Sequence, residues 1–74
     1  MTAKEMFEKL GYYSSYDYNK PKVDFAFYLK YSTKMIVFNI KDKTIEIIDG
    51  AINLQELQAI NKQIEGLEWN EKKY

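Results

Sequence analysis

The chain has 74 residues, 46% of them apolar and 16% aromatic, with eleven lysines offset by eleven acidic residues and no cysteine, histidine or arginine. That composition removes disulfides, thiolate and imidazole chemistry and the usual zinc sites together, while the neutral balance supplies no global field for nucleic acid or membrane. One domain is the only reasonable count, and a domain this small buries only about 60% of its unfolded surface, so apolar packing must supply its cohesion.

The first element is a helix over about residues 3–10. Thr2 is its N-cap, Glu5 completes a capping box, and Gly11 supplies a left-handed stop. Ala3, Met6, Phe7 and Leu10 recur at helical spacing, a stripe too short to be stable unless it docks on something. Residues 12–18 read as a short edge strand rich in tyrosine, and Asn19-Lys20-Pro21-Lys22 as a turn. Over 23–31, Val23, Phe25, Phe27, Leu29 and Tyr31 alternate with Asp24, Ala26, Tyr28 and Lys30, the period of a strand with one face on a core. After the reversal at 32–34, a strand over 35–41 puts Ile36, Phe38 and Ile40 on one face and Met35, Val37 and Asn39 on the other. A strand over 44–48 then turns Ile45 and Ile47 inward, and Gly50 is expected to take the positive φ that ends it.

Asn53 caps the last helix, about 54–65, with Glu56 as capping-box partner. Leu54, Leu57, Ile60, Ile64 and Leu67 form the expected buried stripe, and Gln55, Glu56, Gln58, Lys62 and Glu65 the wet face. Gly66 stops or bends this helix, Trp69 folds back, and 70–74 reads as a frayed tail. Every strand connection is too short for a parallel crossover. The fold class is therefore α+β: two layers, ordered helix, antiparallel meander of three to four strands, helix, with both helices on one sheet face.

Nothing is spaced for catalysis. Ser14-Ser15 has no histidine to activate it, the helix glutamates sit where caps and solvated faces place them, and Gly11, Gly50 and Gly66 are punctuation at element ends. The expected protein is not an enzyme and carries no cofactor or metal. Its longest apolar runs, such as Met35 to Phe38, fall far below the roughly 20 residues that cross a bilayer. The residues from Met1 to Glu5 lack a signal-peptide apolar run. A cytoplasmic protein without membrane contact is the expectation.

Charge is unevenly spread. From Lys20 to Lys43 six lysines face Asp24 and Asp42, a net +4, whereas from Thr44 onward six acids face three lysines, a net −3. If both helices cover one face, Tyr28, Met35, Val37 and Ile48 lie on the other, and with Tyr16 and Tyr18 they make a candidate interaction surface for a protein partner, self-association as a homodimer included. The alternative is weak binding of single-stranded nucleic acid by Lys20, Lys22, Lys30, Lys34, Lys41 and Lys43 among the tyrosines. Zero arginine and the lack of an RRM-type aromatic motif count against it.

Two segments, from Thr2 through Gly11 to Tyr12 and from Leu54 to Glu65, together with Met35 to Thr44, resemble small proteins of uncharacterised function encoded by phages and prophages of low-GC Gram-positive bacteria. The likeness spans most of the chain and rests on the two capped helices and a β-turn. Related sequences run on to a Glu-Leu-Gly-Trp ending, from which Glu65-Gly66-Leu67-Glu68-Trp69 departs. The resemblance implies no catalytic or ligand-binding residue; it implies action by binding a phage or host protein.

Overall fold

The computed structural model describes residues 1–17, 19–20 and 23–69. Helix α1 (Ala3–Lys9) precedes strands β1 (Tyr12–Ser14), β2 (Phe25–Leu29), β3 (Met35–Asn39) and β4 (Thr44–Ile48), and helix α2 (Leu54–Gly66) follows. Both capping boxes form. Thr2 Oγ1 accepts from Glu5 N–H at 3.2 Å while Thr2 N–H donates to Glu5 Oε1 at 2.9 Å. The Asn53–Glu56 pair repeats the exchange at 2.8 Å each way, so two orphan backbone donors are satisfied at each start. Gly11, at φ 93°, makes the left-handed exit from α1.

The sheet is an antiparallel meander in the order β1-β2-β3-β4. Phe27 lies opposite Ile36, which lies opposite Ile47; Phe25, Phe38 and Ile45 form the next row. These rows and Tyr12 face both helices. Phe7 of α1 stacks on Phe27 at 3.8 Å between centroids and meets Tyr12 edge-on at 5.6 Å. Ala59 and Ile60 of α2 join the same buried cluster, and Trp69 folds back toward Phe38. Both helices therefore cover one sheet face.

The strands are shorter than the alternation alone suggests. Past Ser15, whose N–H still bonds Ala26 O at 2.9 Å, side chains take over from the ladder: Ser14 Oγ accepts from Tyr16 N–H at 2.9 Å and Asp17 Oδ1 from Asn19 N–H at 2.8 Å. At the other edge of β2, Asp24 Oδ1 takes the Ile40 N–H at 2.7 Å and closes the ladder there. Tyr31, at φ 61°, reverses the chain after β2. The positive φ after β4 falls on Asp49, at 54°, and not on Gly50. Gly50 instead leaves room for the Lys34 stem, whose Cδ would lie 2.9 Å from an added Cβ.

The stripe of α2 is rotated from its expected position. Leu54 and Leu57 are 68% and 41% exposed, whereas Glu56, expected on the wet face, is buried with Ala59 and Ile60. The expected tail at 70–74 lies outside the described residues.

Candidate interaction face

Alternation in each strand sends half of the sheet's side chains away from the helices. Register then aligns them into rows. Tyr13 pairs with Tyr28, Tyr28 with Met35, and Met35 with Ile48, one row across all four strands. With strands about 4.8 Å apart, such a row runs about 14 Å. Tyr13 and Tyr28 stack at 5.2 Å between centroids, and Tyr13 and Ile48 are 54% and 37% exposed.

The next row steps down to Ala26 and Val37 and ends on Glu46. Ser15 covers Ala26 by accepting its N–H at 2.8 Å and donating to its carbonyl at 3.3 Å. Beyond it the face turns polar, where Asn39 Nδ2 donates to Glu46 Oε1 at 2.9 Å and to Thr44 Oγ1 at 3.2 Å. Large apolar groups therefore occupy one end of the face and a hydrogen-bonded polar set the other.

Of the residues expected on this surface, Tyr28, Met35, Val37 and Ile48 are brought together. Tyr16 is not: its ring packs edge-on against Phe25 at 4.8 Å, on the helix-covered side. Its place follows from alternation carried past Ser14: Tyr12, Ser14 and Tyr16 turn to the same, helix-covered side, and Ser15 N–H still bonds Ala26 O at 2.9 Å. Tyr18 lies outside the described residues. Register against Tyr28 adds Tyr13 to this surface, which period two alone does not reveal until β1 is paired.

The described lysines do not line one groove. Lys30 and Lys34 sit at the β2–β3 reversal, whereas Lys41 and Lys43 sit at the β3–β4 turn at the opposite end of the strands. Lys20 precedes the start of β2, and Lys22 lies outside the described residues. Lys34 is committed elsewhere, its Nζ donating to Glu56 Oε2 at 2.6 Å. The same oxygen accepts from the Tyr12 hydroxyl.

Burial alone would raise the Glu56 carboxyl, but the Lys34 ammonium, the Tyr12 hydroxyl and the Asn53 N–H outweigh it and hold it below the ordinary carboxylate range. Burial likewise opposes the Lys34 ammonium, and the Glu56 carboxylate overcomes this to raise it. Burial, reinforced by Glu56, pushes the Tyr12 phenol up. This trio ties the first turn of α2 to β1 and to the β2–β3 reversal.

A cleft of about 440 Å³ opens between α1, β1 and the end of α2, walled by Phe7, Tyr12, Tyr16, Phe27 and Leu67. Among the described residues no cluster of acidic side chains could hold a metal ion, and no helix is long and apolar enough to cross a membrane. No family model, curated protein or solved structure matches this chain.

Proposed function

We propose that this chain is a non-enzymatic protein-interaction module, encoded by a phage or prophage and acting in the cytoplasm on a phage or host protein. The observation that carries the reading is the row Tyr13, Tyr28, Met35 and Ile48 on a sheet face to which neither helix contributes. Tyrosine and large apolar anchors are the residues that concentrate binding energy in interfaces, and Tyr13 and Tyr28 are already stacked, so little side-chain entropy is left to lose on docking. The polar end at Asn39, Thr44 and Glu46 supplies a rim. The resemblance to small phage proteins supports the same class of action.

The nucleic-acid alternative is less well supported, because Lys34 is held by Glu56 and the other described lysines of that set divide between the two ends of the sheet. One experiment separates the two. A partner captured from a low-GC Gram-positive host should be lost with Tyr28→Asp and with Met35→Lys, while circular dichroism melts show both variants folded. It should be retained with Lys41→Glu plus Lys43→Glu. Binding that survives both apolar substitutions, or an oligonucleotide titration that weakens steeply with salt and depends on those lysines, would replace the proposal with the alternative.

A further inference from the structure

The two edges of the sheet differ. At β1 the edge is three residues long, and Tyr12 is only 1% exposed. At β4 five residues, Thr44-Ile45-Glu46-Ile47-Ile48, run without proline or bulge, and natural proteins ordinarily blunt such an edge. Ladder parity shows which groups it presents. Leu29 N–H bonds Lys34 O at 3.1 Å, so Lys34, Ile36 and Phe38 turn their backbone groups to β2, and Met35, Val37 and Asn39 turn theirs to β4. Register then directs Thr44, Glu46 and Ile48 toward β3. The N–H and C=O groups of Ile45 and Ile47 point outward, to the side where the described residues add no further strand.

The helix layer adds apolar surface on that side. Successive residues of α2 turn by about 100°. Gln63 and Gly66 share the cleft walls with Phe7, Thr2 and Ala3, which identifies the flank toward α1. Leu57 falls on the opposite flank, the side of β4, while Leu54 turns away from the sheet; both are exposed. Ile45 and Ile47 are half-buried beneath the same layer. Unpaired backbone and the exposed Leu57 therefore share one margin of the molecule.

We propose that β4 is a dimerisation edge, to which a second copy of this chain adds its own β4 antiparallel, so that two four-stranded sheets become one. The occupant is a second copy because the strand complements itself. In full overlap about a two-fold axis, Ile45 faces Ile47 of the second copy and Thr44 faces Ile48, while Lys43 and Asp49, the positive-φ residues that flank the strand, bring opposite charges to each end of the seam. Parity is satisfied, since Ile45 and Ile47 are the residues with outward backbone groups. One pair is unfavourable: Glu46 meets Glu46 of the second copy across the axis, and like charges directly opposite oppose pairing.

That pair provides the test. Sedimentation velocity of the full chain from micromolar to millimolar concentration should show a monomer–dimer equilibrium. Glu46→Gln, a change at an exposed side chain, should lower the dimer Kd about threefold, the size of one cross-strand pair. An equimolar mixture of wild type and Glu46→Lys should form heterodimer beyond the twofold excess over either homodimer that random pairing gives. A chain that stays monomeric throughout, Glu46→Gln included, overturns the proposal. So does a dimer that ignores Glu46→Gln and is abolished by Tyr28→Asp, which would place self-association on the open face. Neither result bears on capture of a different protein by that face.

Discussion

Glu56 illustrates how one carboxylate can serve two structures. Its Oε1 closes the capping box on Asn53 N–H, and its Oε2 receives Lys34 and Tyr12. Removing one partner of a buried charge pair leaves the other uncompensated, so Glu56→Ala should cost about 3 kcal/mol in urea unfolding. The folded-state carboxyl titrates below its unfolded value. Its contribution is therefore complete above the unfolded value, about 4.3, and is lost as pH falls through the folded one. Lys34→Met removes the strongest influence opposing burial, so the carboxyl of that variant titrates higher than in the wild type. The penalty of that variant should be largest near pH 7 and shrink toward pH 4, measured as paired urea melts. A penalty independent of pH would mean that Lys34 acts through its stem alone.

At the scale of elements, the caps and the rotation of α2 carry different lessons. Asn53→Ala should destabilise by about 1 kcal/mol, and Gly11→Ala by at least about 1 kcal/mol, because alanine resists φ 93°. In thermal melts each kcal/mol should appear as a Tm loss of about 4–8 °C. Both helix starts, the alternation in 25–29, 35–39 and 44–48, and the meander were legible in the sequence, since capping boxes and period-two patterns are local signals. The face of α2 was not. Leu54, Leu57, Ile60, Ile64 and Leu67 repeat at helical spacing, yet the sheet takes Glu56, Ala59 and Ile60, because a carboxylate already paired with a lysine and a phenol can be buried where an unpaired one cannot. Lys34 and Tyr12 lie 22 and 44 residues away from Glu56 in sequence, and no local pattern announces such a meeting. Leu54→Gln, at an exposed position, should shift stability by less than about 0.5 kcal/mol.

For the molecule as a whole, size sets the tolerance to damage. At roughly 0.05–0.15 kcal/mol per residue, a chain of this length has about 4–11 kcal/mol in total. Phe7→Ala or Phe38→Ala, each emptying a fully buried ring site, should cost about 3–5 kcal/mol and leave an appreciable unfolded fraction at 37 °C, read by amide proton dispersion. The open face was legible as a set of alternating residues, and its composition of Tyr28, Met35, Val37 and Ile48 followed from period two. The sides of Tyr13 and Tyr16 needed the pairing of β1: register sets Tyr13 opposite Tyr28 on the open face, and the same alternation turns Tyr16 to the helix side, against Phe25.

The anchoring of α2 also sets an order of events during synthesis. A ribosome extrudes α1 and the whole meander before Ala59 and Ile60, so for that interval Ile36, Phe38, Ile45 and Ile47 lack the cover that α2 adds. A nascent chain stalled with residues beyond 52 still inside the exit tunnel would thus be the form that recruits chaperones, and release of α2 would end their hold.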